Sequence, residues 1–132
     1  MMNKLEQGKT HAITQAKAQL VLRPSDRAHL GSFIARRKQH AFAMNRMSKT
    51  HPDFFVWVGG EQVAKGVHAE QLALIRGRKF TDGAVLFVAR VQKSGGLVNA
   101  RPCPVCRELI REAQVKKVHY SIGPNEWGAW SL

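Results

Sequence analysis

Two short stretches, His68-Ala69-Glu70 and Pro102-Cys103-Pro104-Val105-Cys106, carry the pattern from which the fold of this chain follows. Cys103 and Cys106 are three residues apart, so on the first turn of a helix both thiols face the same way. His68, on a separate helix, would supply a third ligand for a tetrahedral zinc ion. Three protein ligands leave one coordination position for water, which is typical of a catalytic rather than a structural zinc site.

Glu70 is predicted to be a catalytic group and not a ligand. Zinc lowers the pKa of a bound water from ~15.7 to about 7, so that hydroxide becomes available at neutral pH. A carboxylate beside that water is suited to move protons from it to the reacting group. Pro102 suits the entry to a helix, and a helix N-terminus favours the thiolate form of cysteine.

Each half of the pattern also has a simpler explanation. A lone Cys-x-x-Cys is often a redox pair or half of a structural zinc site, and His-x-Glu is common by chance. A structural zinc finger would need a further ligand at regular spacing, and the chain has only two cysteines. A redox pair would leave His68-Ala69-Glu70 unexplained. The combination therefore favours a hydrolytic metal centre.

Length and cysteine content predict a single compact domain that needs no disulfides. The chain has 132 residues, enough for one domain with its own core. We expect a flexible N-terminus over residues 1–9 and one domain over residues 10–132. Met1 to Lys9 lacks the apolar core of a signal peptide, and no apolar run is long enough to span a membrane. These features predict a soluble, cytoplasmic protein with no membrane partner.

The charge balance is strongly basic. Lysine and arginine total 21 against 9 acidic residues, for a formal net charge of +12. Such a surface attracts polyanions, of which nucleic acid is the usual one, although a merely soluble basic protein is the alternative. Basic residues cluster at Arg36-Arg37-Lys38, at Arg76, Arg78 and Lys79, and at Lys116-Lys117.

Hydrophobic periodicity and turn residues predict most of the secondary structure. Residues 31–47 fit either a helix or a hairpin, and the pattern alone does not decide between them. The other predicted elements are a helix from Thr10 to about Val21 with Thr10 as N-cap, a catalytic helix that stops at Gly77, a buried strand from Ala84 to Val91, a helix from Cys103 to Ala113, a strand from Val118 to Ile122, and a short final strand from Trp127 to Leu132.

On these residues the chain resembles the cytidine deaminase superfamily over roughly residues 10–132. The order helix, two strands, His-Ala-Glu helix, strand, Pro-Cys helix, strand is that superfamily's core. The resemblance implies an α/β fold with three α/β/α layers, a mixed central sheet and helices on both faces. It makes residues 31–47 an antiparallel hairpin. It also implies a Zn²⁺ cofactor held by His68, Cys103 and Cys106, with Glu70 as the catalytic residue.

A closer resemblance is to small deoxycytidylate-like deaminases, many of them carried by phages, over Asn45 to Pro52. It makes Asn45 a candidate contact to the sugar or base. The other candidate substrate contacts are Ala69, Pro102, His51, Trp57 and Tyr120. Two departures stand out. Residues 53–67 look like an aromatic insertion, and the Gly123-Pro124-Asn125 turn predicts an antiparallel final strand, as in nucleoside deaminases.

The chemistry implied is hydrolytic conversion of cytosine to uracil with release of ammonia. Three hypotheses about the function follow, and the first two differ in the molecule that contains the cytosine. The first, which the sequence favours, is single-stranded nucleic acid, suggested by the charge and by the aromatic insertion. Trp57 or Trp127 could provide a stacking surface worth ~1–3 kcal/mol per base, and core packing or an oligomer contact is the favoured alternative for each ring. The second is free cytidine or deoxycytidylate (dCMP). The third is a non-catalytic zinc-containing nucleic-acid-binding domain, which Glu70 argues against. An oligomer is compatible with the sequence, which assigns no oligomeric state.

Overall fold

The computed structural model describes residues 3–26, 28–45, 56–58, 61–63 and 68–132. In this part of the chain the elements follow one another as α1 (Lys4–Leu22), β1 (His29–Arg36), β2 (Gln39–Met44), β3 (Val56–Val58), β4 (Glu61–Val63), α2 (Ala69–Arg76), β5 (Val85–Val91), β6 (Leu97–Val98), α3 (Pro104–Glu112), β7 (Lys117–Gly123) and β8 (Glu126–Ser131).

One mixed sheet organises these elements. Its strand order is β2-β1-β5-β7-β8, with the short β6 paired to β5, and β3 and β4 form a separate two-stranded hairpin. Strands β1 and β2 are antiparallel, which confirms the hairpin predicted over residues 31–47. Strands β5 and β7 are parallel because α3 carries the chain back across the sheet between them. The final strand β8 runs antiparallel to β7, as the turn before it predicts.

The side chains on the two faces of the sheet belong to two separate apolar clusters. Ile34, Leu86 and Val88 belong to a cluster that includes Leu74 of α2 and Ile110 of α3. Their neighbours along the same strands face the other way, toward α1. This second cluster is formed by Ala12, Ala16, Phe33, Phe87, Ala89 and Val91. Since successive residues of a strand point to opposite faces, the molecule has α1 on one side and α2 with α3 on the other. The predicted three-layer α/β/α architecture is confirmed.

Helix α1 begins earlier than the sequence suggested. Asn3 is its N-cap, and the Asn3 Oδ1 accepts a hydrogen bond from the Glu6 backbone N–H at 2.8 Å. The predicted start at Thr10 is wrong because this asparagine caps the helix upstream. The extra turns matter for packing, since Gly8 lies so close to the sheet that a Cβ there would sit 2.3 Å from the Phe87 ring.

The topology brings the first turns of α2 and α3 to the same end of the sheet. Each of these helices precedes a strand of the parallel pair, so each helix N-terminus lies near the carboxyl ends of β5 and β7. Crevices at that end of α/β sheets are where ligands usually bind. Within the described ranges, no helix combines the length and the apolar character needed to cross a bilayer.

Candidate active site

His68 is held at the N-terminus of α2 by two neighbours. It occupies the N-cap position, and its backbone N–H donates to the Gln71 Oε1 at 2.9 Å. From the sheet below, the buried Ser32 Oγ donates to the Ala69 carbonyl oxygen at 2.7 Å. The His-Ala-Glu stretch is therefore fastened both to its own helix and to β1.

The two cysteines lie on the first turn of α3, as their spacing predicts. Cys103 is the N-cap, Pro104 opens the helix, and the Cys106 backbone N–H points at the Cys103 sulfur with an N···S distance of 3.5 Å. Proline suits this position because the first turn of a helix has no intrahelical partner for its N–H groups.

The tertiary fold brings these three side chains together. The His68 Nδ1 lies 3.2 Å from the Cys106 Sγ and 3.7 Å from the Cys103 Sγ. All three potential ligand atoms are within 4.8 Å of one another. One imidazole nitrogen and two thiols form a donor set suited to zinc, which accepts nitrogen and sulfur ligands in tetrahedral geometry. The residues present fit the metal.

The two thiols differ in their protonation. A hydrogen bond from the Cys106 thiol lowers the pKa of Cys103 to about 3, while the same bond and burial raise the pKa of Cys106. The thiolate form is therefore favoured at Cys103 over Cys106. A zinc ion requires thiolate ligands, so metal binding is expected to release the Cys106 proton.

Glu70 is buried beside this cluster. Its side chain is 2% exposed, and its Oε1 has no hydrogen-bond partner among the described residues. Burial raises the pKa of the Glu70 carboxyl, against the opposing effects of a backbone hydrogen bond and of His68. An unsatisfied buried carboxylate oxygen is unfavourable, and it is the arrangement expected when the partner is a water or substrate atom.

In the structure the side-chain amide of Asn45, a predicted substrate contact, forms hydrogen bonds with the backbone. Its Oδ1 accepts from the Leu30 N–H at 2.7 Å, and its Nδ2 donates to the Ala28 carbonyl at 2.9 Å. The amide thus ties the end of β2 to the start of β1, and its contact with substrate stays a prediction.

The other predicted substrate contacts fall in three places. Ala69 and Pro102 are buried and flank the three candidate ligands, and Tyr120 is half-buried on β7. His51 lies outside the described residues, as does the side chain of Trp57 on β3. The roles of these residues in substrate binding stay predictions.

Trp127 lies on the other side of the sheet from the candidate ligands. It packs against the α1 cluster, and the Lys9 Nζ lies over its ring at 5.5 Å from the centroid. This placement agrees with core packing, the alternative that the sequence favours over stacking on a base.

Sequence patterns did not single out a pocket at the side of α3. It has a volume of about 120 Å³, and its lining residues are Arg101, Pro102, Arg107, Tyr120, Ala129 and Trp130. The one sequence feature that could have indicated this pocket is the position of Arg101 directly before the Pro-Cys motif. Arg107 and Trp130 are far apart in sequence and meet only through the fold.

We expect Ser32→Ala to reduce the free energy of unfolding by about 1 kcal/mol, because one buried hydrogen bond is lost. The affected acceptor is the Ala69 carbonyl, so the change acts on the first turn of the His-Ala-Glu helix. Urea denaturation checks this, with Ser131→Ala on the exposed end of β8 as the matched control. Equal stabilities of the two variants would contradict the role given to Ser32.

Comparisons with known proteins agree with this geometry. The family model for the zinc-binding region of cytidine and deoxycytidylate deaminases matches residues 2–122. The chain is similar to the dCMP deaminase from the cyanophage S-TIM5 in complex with dCMP and dUMP, with 24% identity over 91% of this chain and 83% of that chain and a TM-score of 0.55. The apo form of that enzyme matches with 25% identity over 90% and 84% of the two chains and a TM-score of 0.53. No curated protein matches significantly. This chain therefore belongs to the cytidine and deoxycytidylate deaminase family and is a zinc-dependent deaminase.

Proposed function

We propose that this protein deaminates a free cytosine nucleotide of the dCMP type, converting its base to uracil with release of ammonia. The observation that carries the proposal is the meeting of three zinc-compatible ligand atoms with the buried, unpartnered oxygen of Glu70. The choice of a nucleotide is supported by the similar cyanophage enzyme, whose structure was solved with dCMP and dUMP.

In this proposal His68, Cys103 and Cys106 hold the zinc ion, through the His68 Nδ1 and the two sulfurs. When bound, zinc supplies Lewis-acid activation of water at neutral pH. Gln71 and Ser32 keep the His-Ala-Glu backbone in place while the site binds and releases metal or substrate.

Glu70 moves the protons. Its carboxylate accepts one proton from the attacking water and delivers it to the ring nitrogen of cytosine, and it then carries a second proton to the departing amino group. Water and cytosine are consumed, and uracil and ammonia are formed. A carboxyl group whose pKa is raised by burial is better matched to both accepting and returning a proton near neutral pH. Glu70 also argues against a non-catalytic zinc domain, which has no use for it.

The location of the basic clusters argues for a small substrate rather than a nucleic-acid strand. Ala35 of β1 pairs with Val85, and Val85 pairs with Lys117, so β1 ends where β5 and β7 begin. The basic clusters near Arg36, after α2 and at the start of β7 therefore gather at the end of the sheet opposite the candidate ligands. The single-stranded hypothesis is left with the overall charge as its support, because these three clusters of described residues do not lie at the candidate ligands.

Cytoplasmic placement belongs to the same proposal. Both cysteines are free thiols. The proposed chemistry requires them to stay reduced, and reducing compartments keep thiols in that form.

The proposal predicts that the zinc-loaded protein turns over dCMP with a higher kcat/KM than a cytosine-containing single-stranded oligonucleotide. Ammonia release and uracil formation on dCMP, cytidine and the oligonucleotide, measured side by side, check this. Salt separates the alternatives further, since an enzyme that binds Z phosphates of a strand loses affinity with a log–log slope near −0.7Z. Turnover of the oligonucleotide alone, with a steep salt dependence, would contradict the proposal.

A further inference from the structure

The pocket beside α3 adjoins the candidate metal centre. Pro102 lines it and directly precedes Cys103, and Arg107 lines it and directly follows Cys106. Its volume of about 120 Å³ is well below the ~300–1,000 Å³ of sites that hold a whole drug-sized ligand. The pocket is therefore sized for one small group of a larger molecule bound at the metal centre.

Its two arginines are available to an anion. No ion pair joins Arg101 or Arg107 to a carboxylate within the described residues, whereas Arg111 pairs with Glu108 at 3.0 Å. The Arg107 guanidinium lies over the Trp130 ring, 5.8 Å from its centroid. Stacking occupies the face of a guanidinium and leaves the N–H groups in its plane free to donate.

Tyr120 forms a wall of this pocket, and its ring is packed against Gly128. A Cβ at position 128 would lie 2.5 Å from the Cζ of Tyr120, so the ring occupies space that only a glycine leaves open. Tyr120 also packs against the apolar cluster beneath α2 and α3. The pocket thus has one aromatic wall and two cationic side chains that form no ion pair with a described carboxylate.

We propose that this pocket binds the phosphate group of the nucleotide substrate, with Arg101 and Arg107 as its donors. The inference rests on the proposed function, since it takes the substrate to be a cytosine nucleotide whose base reaches the metal centre. Guanidinium groups match phosphate oxygens with two parallel hydrogen bonds, and two arginines without a carboxylate partner in the described part of the chain favour a charged group over a neutral one. The pocket would make the enzyme prefer a nucleotide to a nucleoside.

The test compares Arg101→Gln, Arg107→Gln and the double variant with Arg111→Gln in the zinc-loaded protein. Arg111 is the matched control because it lies on the same helix and over the same Trp130 ring but does not line the pocket. We expect the ratio of kcat/KM for dCMP to that for deoxycytidine to fall about 10-fold or more in Arg107→Gln, as for a lost charge-assisted hydrogen bond. In Arg111→Gln this ratio should stay at the wild-type value.

Calorimetry provides a second readout that does not depend on turnover. Wild-type protein should bind dUMP more tightly than deoxyuridine, and the double variant should lose that difference. A double variant that still binds dUMP more tightly than deoxyuridine would overturn the proposal. So would a double variant that loses affinity only for an oligonucleotide, because the pocket would then bind a phosphodiester. Failure of wild-type protein to deaminate any cytosine compound would instead refute the proposed function, and the dUMP comparison would still decide the pocket.

Discussion

Glu70→Ala is expected to keep one zinc ion per chain and to lose turnover by about 10²–10⁴-fold or more, the usual contribution of a positioned general acid–base group. The metal should stay because the three atoms that meet are the His68 Nδ1 and the two cysteine sulfurs. Turnover should fall because no other carboxylate of the described residues is buried in the structure. Metal analysis and ammonia release on the same sample measure the two effects.

Two further variants sharpen that experiment. Glu70→Gln keeps nearly the same shape but cannot accept a proton, so it should be as inactive as Glu70→Ala. Glu108→Ala removes an exposed carboxylate on α3 that pairs with Arg111, and this change should alter turnover little. Normal turnover by Glu70→Gln would contradict the proton-transfer role.

Cys106→Ser is expected to lose zinc and turnover together. The residue is fully buried in the apolar cluster under α2 and α3, and its sulfur is 3.2 Å from the His68 Nδ1. Serine is close to cysteine in size, but its hydroxyl is a poor ligand for zinc at neutral pH. Because a bound metal stabilises only the folded state, the variant should also lose the stabilisation that zinc gives the wild-type protein.

Thermal unfolding with and without a chelator separates metal loss from misfolding. The Tm of wild-type protein should fall on chelation, whereas that of Cys106→Ser should not respond. A variant that retains zinc at full occupancy, with a Tm still sensitive to the chelator, would contradict the assignment of Cys106 as a ligand.

The sequence predicted the architecture where apolar runs were long and clearly bounded. Ala84 to Val91 could be assigned to a buried strand because both ends carry turn residues, and the structure has β5 there. Residues 31–47 could not be assigned from their pattern, since a mixed apolar run fits a helix or a hairpin, and only the family resemblance decided correctly. Strand β6 was missed because two residues, Leu97 and Val98, carry no periodicity.

The candidate site divides in a similar way. The residues of the two motifs could be named because their spacing follows from helix geometry, and the fold does bring His68 to Cys103 and Cys106. Their supporting partners could not be named. Ser32 reaches the Ala69 carbonyl from a strand 37 positions away, which no local pattern records. The two side-chain hydrogen bonds that tie Asn45 to Ala28 and Leu30, at the start of β1, could not be predicted from the sequence either.

The most direct test of the account is ammonia release from dCMP by the zinc-loaded protein, measured in the same sample as its zinc content. The account predicts one zinc ion per chain and stoichiometric formation of ammonia and dUMP, lost on chelation and restored by added zinc. A protein that carries one zinc ion per chain and leaves dCMP unchanged would contradict it.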